Sequence, residues 1–147
     1  MTKSLPVTQS LRAWMDVFMH RSMREWMRFA KSTGLTMPQF NILMQLHHKG
    51  TCGISEISER FDVSNAAASQ LVEKLVQSGY LDRAEDPNDR SAKQLHLTEN
   101  GAKLIKDGVE KRYHWLEDIA AKLSVEEREK VIEALTILTE TAKKLEK

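Results

Sequence analysis

Cysteine is almost missing from this sequence of 147 residues: Cys52 is the one copy, so an internal disulfide is excluded. The sequence also lacks an apolar run long enough to cross a membrane, and it lacks the pattern of a secretory signal. These absences predict a cytoplasmic protein in a reducing compartment. We find no repeat, low-complexity tract or linker, and the length predicts a single domain, residues 1–147, that buries its own core.

The motifs of common enzymes and metal sites are absent as well. There is no Gly-rich phosphate loop, no Ser or Cys nucleophile motif and no H-E-x-x-H. Asp86 and Asp89 flank a turn, which is poor evidence for acid-base catalysis. Adjacent His47 and His48 on a helix would point about 100° apart, and no spacing of Cys and His resembles a structural zinc site. The sequence therefore predicts no enzyme, no metal site and no cofactor.

An excess of charge of one sign is also lacking, since 22 basic and 21 acidic side chains leave a formal net charge of +1. The distribution is uneven. Residues 1–35 carry six basic and two acidic side chains, whereas residues 36–97 carry six basic and eight acidic ones. Binding of a polyanion by the central segment would therefore depend on locally placed cations rather than on a broad basic field.

Two short helical patterns joined by a tight turn occupy residues 54–79. Apolar residues recur at helical spacing in both, and the interruption at Asp62-Val63 is too short for anything but a turn. Ser64 is placed to cap the second helix, because its hydroxyl can accept a backbone N–H of the first turn. Gly79 ends that helix, since glycine tolerates the left-handed backbone often needed there.

The second helix presents a face of small and polar side chains. The spacing predicts that Ala67, Leu71 and Leu75 face the core. The residues on or near the opposite side are Asn65, Ala66, Ser69, Gln70 and Lys74. Asn and Gln can bond adenine bidentately, Ser can bond several base edges, and Ala can touch a thymine methyl group. This face suits a DNA major groove, and the alternative is a solvated face of an ordinary helix.

A β-hairpin with a charged tip is predicted next. Tyr80-Leu81 opens a strand, residues 86–90 concentrate turn formers, and the return strand alternates apolar and polar residues up to Leu97. Arg90 at the tip can enter a narrow minor groove, and Asp89 can brace its guanidinium. The alternative is a surface arginine in a polar turn.

Three motifs in this region form a specific combination. DPNDRS spans residues 86–91, LT-x-x-G follows at residues 97–101, and VS-x-x-x-x-S-x-LV-x-KL-x-x-x-GYL runs through residues 63–81. With them the chain resembles the MarR family of bacterial transcription regulators over nearly its whole length. The resemblance implies a mainly α-helical fold with a small β-hairpin wing: a winged helix-turn-helix with flanking dimerisation helices. It also implies an obligate homodimer on double-stranded DNA in the bacterial or archaeal nucleoid.

The resemblance assigns DNA-contact roles by position. The residues that would contact bases are Ser64, Asn65, Ala66, Ser69 and Gln70. On the wing, Arg90 would enter the minor groove and Asp89 would orient it. Many family members have an arginine where Gln70 stands and a basic residue where Ser91 stands. Lys74, Arg83 and Lys93 are the expected substitutes in gripping phosphate, and we expect a modest salt dependence because the lobe is slightly acidic.

Long helices are predicted on both sides of the DNA-binding lobe at residues 36–97. Residues 1–34 and 98–147 are assigned to dimerisation, because their apolar stripes look too broad for one small monomer to cover. The first helix is predicted from Thr8 to Ser32, with Gly34 as a stop, and the next begins at a capping box of Thr36 and Gln39, with Pro38 in its first turn and Gly50 after its end. A long helix runs from Thr98 to about Ala121, and a capping box of Ser124 and Glu127 begins the last one. The stripe of the first helix consists of Leu11, Trp14, Met15, Phe18, Met19, Met23, Trp26, Met27 and Phe29. The stripe of the last helix consists of Val131, Ile132, Leu135, Leu138, Ala142 and Leu145. An intramolecular helical bundle is the alternative.

A regulatory ligand is implied by the resemblance alone. Family members bind small phenolic or lipophilic anions between the dimerisation region and the DNA-binding lobe. The residues expected at that junction are Trp14, Phe18, Met44, His47, Tyr113 and Trp115, with Arg21 or His47 available for a carboxylate. Plain core packing is the alternative for such a stripe. The resemblance thus predicts a repressor of a palindromic operator whose binding is modulated by a small apolar anion.

Two further hypotheses concern the winged helix and Cys52. The winged helix could serve as a protein-interaction module without DNA; Arg90→Ala would then have little effect, whereas it should sharply weaken binding if the wing enters a groove. Cys52 could be a redox switch, as in some family members. However, the peroxide-sensing branch places its cysteine in the N-terminal helix, so we favour a small residue in a turn for Cys52.

Overall fold

The computed structural model describes the backbone of residues 5–86 and 88–146 and the side chains of residues 6–85, 88 and 93–146. Within these ranges the chain is mainly α-helical with a small β-sheet, as the sequence predicts. The elements in chain order are α1 (Leu5–Ser32), α2 (Met37–Lys49), β1 (Thr51–Cys52), α3 (Ile54–Phe61), α4 (Asn65–Gln77), β2 (Leu81–Asp86), β3 (Asp89–Leu97), α5 (Glu99–Lys122) and α6 (Val125–Leu145).

The elements group into two compact units. The first, Met1–Arg112, contains α1 to α4, the sheet and the first part of α5. The second, Tyr113–Lys147, contains the end of α5 and α6. None of the helices in the described part of the chain combines the length and the apolar character that a membrane span requires.

The helix ends follow the predicted capping residues closely. Thr36 Oγ1 accepts from the Gln39 N–H at 3.4 Å, and Gln39 Oε1 accepts from the Thr36 N–H at 2.9 Å, which completes a capping box. Ser124 and Glu127 form the same reciprocal pair at the start of α6, at 3.1 and 2.8 Å. Helix α1 begins at Leu5, three residues before the predicted start.

The sheet has the strand order β1-β3-β2, and both pairings are antiparallel. Strands β2 and β3 form the predicted hairpin, with Leu81 opposite Leu97 at its base. Strand β1 was not predicted, and the expectation that Cys52 lies in a turn is wrong: Cys52 pairs with Leu95. A two-residue strand has no periodicity to recognise, and its partner lies far along the chain.

The core of the first unit gathers apolar side chains from α1 to α5 and the sheet. The Phe40 ring packs edge-on against Trp26, at 4.6 Å between ring centroids, and against Phe29 at 5.9 Å. Trp26 and Phe29 were both expected on the face that a partner subunit covers; instead they are buried within the chain. Because α2 packs on that side of α1, the partner-facing stripe is narrower than the sequence pattern suggests.

Helix α4 is rotated relative to its predicted orientation. Its buried residues are Ala68, Val72 and Leu75, whereas Ala67 and Leu71 are half-buried. The face that turns inward is decided by contacts with α2, α3 and β2, which the apolar spacing alone does not reveal.

Helix α5 begins in direct contact with the loop between α4 and β2. The Thr98 N–H donates to the Tyr80 carbonyl oxygen at 3.1 Å, and Thr98 Oγ1 donates to the Gly79 carbonyl oxygen at 2.5 Å. The same hydroxyl oxygen accepts from the Gly101 N–H at 3.1 Å, so it also caps α5. A Cβ on Gly101 would clash with the Tyr80 carbonyl oxygen. The LT-x-x-G motif therefore joins α5 to the base of the wing.

Candidate nucleic-acid interface

The turn between α3 and α4 is as tight as the sequence predicts. Asp62 has a left-handed backbone with φ 51°, a conformation that aspartate tolerates better than most side chains. Its N–H donates to the Glu59 carbonyl oxygen at 3.3 Å, and the Val63 N–H donates to the Ser58 carbonyl oxygen at 3.0 Å. These bonds hold the two helices in a helix-turn-helix arrangement.

The N-terminus of α4 is capped and exposed. Ser64 Oγ accepts from the Ala67 N–H at 3.1 Å, which confirms the predicted cap. Asn65 and Ala66 follow it, and both are exposed. An exposed helix N-terminus presents backbone N–H groups and a partial positive charge, and this combination suits contact with phosphate.

The outer face of α4 is polar apart from Ala66 near its start. Gln70 and Lys74 are exposed as predicted, and Ser69 is half-buried. Glu73 and Gln77 are also exposed on this face, although the sequence analysis did not select them. The signal was available, because Glu73 follows Gln70 by three residues and Gln77 follows it by seven, and both spacings return to the same helical face.

Asn65 is tied to α3 as well as facing outward. Ser58 Oγ lies 2.6 Å from Asn65 Oδ1 and 2.8 Å from the Ser55 carbonyl oxygen. A hydroxyl has a single proton, so it can donate fully to only one of these two oxygens at a time. The contact orients the Asn65 side chain and leaves part of its hydrogen-bonding capacity for a ligand.

Arg83, predicted as a phosphate contact, is paired within the protein. Its Nη2 donates to Glu73 Oε2 at 2.8 Å and so joins β2 to α4. The side chains of Arg83 and Glu73 are 33% and 48% exposed, so the ion pair is open to water at the surface. An isolated surface pair of this kind adds about 1 kcal/mol or less to stability.

The wing projects from the sheet as a β-hairpin whose register is irregular between Glu85 and Asp86. Lys93 is exposed on β3, directly opposite Glu85 on β2. Asp89 and Arg90 belong to β3, but their side chains lie outside the described residues, and so does that of Ser91. Their predicted roles stay predictions.

The seven residues predicted to bind an effector are distributed over several elements. The rings of Trp14 and Phe18 on α1 lie 6.3 Å apart, and Arg21 is exposed on the same helix. Met44 packs against the core of the first unit. His47 lines a groove together with Lys103, Lys106 and Glu110 of α5. In the second unit, Tyr113 is 38% exposed and Trp115 is buried.

Cys52 is fully buried in β1. Burial, together with the nearby Glu56 carboxylate and against the opposing charge of Lys49, raises the pKa of its thiol to about 11. Reactive cysteines have a lowered pKa and access to solvent, so this environment is the opposite of a redox switch. Among the described residues, no group of three or more His, Cys, Asp or Glu side chains is placed to hold a metal ion.

Comparison with known proteins agrees with this geometry. The MarR family model matches residues 35–92, which include the helix-turn-helix and most of the wing. A protein of Bacillus subtilis (strain 168), described as an uncharacterized HTH-type transcriptional regulator YfiV, is 35% identical over 123 residues, covering 82% of this chain and 74% of that protein.

Solved structures share the fold over nearly the whole chain. The transcriptional regulator Tm0710 from Thermotoga maritima superposes with a TM-score of 0.80 at 27% identity, covering 95% of this chain and 96% of that one. A Staphylococcus aureus MepR mutant bound to an oligodeoxyribonucleotide has a TM-score of 0.69 at 19% identity, covering 90% and 97% of the two chains. That identity is low, so it shows the fold alone.

These relatives are transcriptional regulators rather than enzymes, in agreement with the prediction from the missing catalytic motifs. The helix-turn-helix, the wing and the similarity to YfiV lead to one assignment. This chain belongs to the MarR family of winged helix-turn-helix, DNA-binding transcription regulators.

Proposed function

We propose that the protein is a homodimeric repressor that reads a palindromic operator with the N-terminal half of α4. The observation that carries the proposal is the capped, exposed start of this helix, where Ser64, Asn65 and Ala66 lead into Gln70. Recognition helices contact base edges through their N-terminal residues, and these side chains offer the matching donors, acceptors and methyl group.

The proposed contacts divide into three groups. Bases in the major groove are read by Ser64, Asn65, Ala66, Ser69 and Gln70. Lys74 and Lys93 contact phosphate, and Arg90 enters the minor groove with Asp89 orienting it. Arg83 belongs to this surface through its ion pair with Glu73. The MepR mutant, which shares this fold, is bound to an oligodeoxyribonucleotide, and we propose that DNA, as a duplex, is the ligand of this chain too.

Dimerisation is proposed through residues 1–34 and 98–147. Helix α6 has no buried residue, and its apolar stripe includes Ile132, Leu135 and Leu138, which are 66%, 46% and 36% exposed. Helix α1 likewise exposes Met15, Met19 and Met27. A second copy of the chain would cover these faces, and its two-fold symmetry would match a palindromic site.

A selection experiment tests DNA reading and symmetry together. Duplexes bound from a random library should contain a palindrome whose half-sites lie about 10 base pairs apart, one helical turn. Gln70→Ala should then lower affinity for the selected sequence by about 1–3 kcal/mol. Gln77→Ala is the matched control, since Gln77 lies on the same face at the other end of α4. If no sequence is enriched by the folded protein, this proposal is wrong.

Modulation by a small, flat, lipophilic anion is the remaining part of the proposal. The adjacent rings of Trp14 and Phe18 offer an apolar surface, and the exposed Arg21 offers a cation on the same helix. Salicylate-like compounds should raise the melting temperature by binding the folded state and should change operator affinity. Thermal shift and operator titration measure both effects, and an absence of both would reject this class of effector.

A further inference from the structure

We infer that Arg83 is a charge-compensating residue of the DNA-binding surface, which neutralises Glu73 on the recognition helix and is not itself a phosphate ligand. The inference rests on the proposed function, because it concerns how the surface of α4 tolerates DNA. It gives Arg83 a different role from the phosphate contact that the sequence predicts.

Glu73 is the one acidic residue of α4, and it lies on the exposed face that we propose contacts DNA. It follows Ala66 by seven residues and Gln70 by three, so all three side chains lie along one stripe of the helix. Its side chain is 48% exposed. An uncompensated carboxylate there would face the phosphates of a duplex within a Debye length and repel them.

Arg83 compensates the charge of Glu73 already in the free protein, before a duplex is bound. Its guanidinium reaches from β2 and donates from Nη2 to Glu73 Oε2 at 2.8 Å, a length typical of a charge-assisted bond. Lys74 is next to Glu73 in sequence, but adjacent helical residues point about 100° apart, so it is poorly placed for this role. The cation that compensates Glu73 therefore comes from the wing.

A compensated pair has no net charge, which separates this role from phosphate contact. A cation that neutralises a phosphate releases counterions and adds about 0.9 to the magnitude of the salt slope. A neutral pair adds nothing. Removing the carboxylate alone should free a cation and strengthen binding, whereas removing the guanidinium alone should leave an anion and weaken it. Removing both should restore the original balance.

The test is a titration of a fluorescently labelled random-sequence duplex with wild type, Glu73→Gln, Arg83→Gln and the double variant at several salt concentrations. At 0.1 M salt we expect Arg83→Gln to bind about tenfold more weakly and Glu73→Gln several-fold more tightly, the size of one phosphate neutralisation. The double variant should match wild type in affinity within about twofold and have the same salt slope.

Two controls separate charge from structure. Arg83→Lys keeps the cation and should retain most of the affinity that Arg83→Gln loses, even if the glutamine variant is poorly folded. Glu126→Gln breaks an ion pair of similar length, 2.7 Å to Lys130, at the start of α6; Glu126 is highly exposed and lies on the face of α6 opposite its apolar stripe. That variant should leave DNA affinity unchanged.

The outcomes discriminate between the proposals. A double variant as weak as Arg83→Gln, with a salt slope reduced by about 0.9, would show that Arg83 grips phosphate and would overturn the compensation while leaving the proposed function intact. Unchanged affinity in both single variants would overturn it as well. Failure of the wild-type protein to bind any duplex would reject the proposed function itself, and the compensation with it.

Discussion

At the scale of single residues, Cys52 shows how position decides chemistry. The thiol is enclosed where β1 pairs with β3, and burial raises its pKa to about 11. The thiolate is the reactive form, so little of it exists at neutral pH. We therefore expect Cys52 to contribute packing to the sheet rather than redox sensing.

Alkylation kinetics test this expectation. Iodoacetamide should modify native Cys52 slowly at pH 8 and rapidly in urea, and the native rate should rise toward pH 11 rather than level off near pH 9. Between pH 9 and pH 11 the thiol loses its proton in the unfolded chain but keeps it in the folded protein, so this residue makes the free energy of unfolding fall as pH rises. The fall should be smaller in Cys52→Ala, and rapid alkylation of the native protein at pH 8 would contradict the prediction.

At the scale of elements, the contact between α5 and the loop that follows α4 depends on Gly101. The position allows no Cβ, because the Tyr80 carbonyl oxygen and the Leu97 side chain occupy that space. Backbone cannot move aside as a flexible side chain can. The glycine lets α5 begin close against the base of the wing, where Thr98 bonds both Gly79 and Tyr80.

Gly101→Ala should therefore destabilise the protein by about 2 kcal/mol, since steric overpacking exceeds the gain of up to about 1 kcal/mol in helix propensity. Urea denaturation measures the change. Gly53→Ala is the steric control, because a Cβ there would lie 3.9 Å from the Ser55 hydroxyl oxygen; its cost should be limited to the weaker N-capping of α3 by alanine. Equal stability of wild type and Gly101→Ala would show that the start of α5 can shift.

At the scale of the whole molecule, the exposed apolar stripe of α6 allows the proposed dimer to be tested. Leu135→Asp places a charge in the middle of that stripe and should convert a dimer into monomers, because burying an unpaired carboxylate is costly. Operator affinity should fall with it, since the two recognition helices would no longer be linked. Light scattering and DNA titration measure both.

The control for that prediction lies on the same helix. Ile137 is 58% exposed, and its position two residues after Leu135 directs it to another face. Ile137→Asp should leave the dimer largely intact. A wild-type protein that is monomeric at all concentrations would contradict the dimer directly.

Much of this architecture could be predicted from the sequence because the forces concerned are local. A cap needs a hydroxyl within three residues of the N–H it accepts from, so Thr36, Ser64 and Ser124 identify helix starts on their own. The tight turn at Asp62 and the hairpin ending at Leu97 are encoded within short segments. The family motifs extend over the same segments.

Only the tertiary structure decided the features that join distant segments. The pairing of Cys52 with Leu95, the burial of Trp26 and Phe29 against α2, and the contact of Arg83 with Glu73 all depend on which elements meet in space. Periodicity tells which residues share a face of one helix, but the direction of that face is set by the neighbours that cover it. The sequence by itself thus determined the helices, the hairpin and the helix-turn-helix, whereas packing determined strand β1 and which side chains stay available to a ligand.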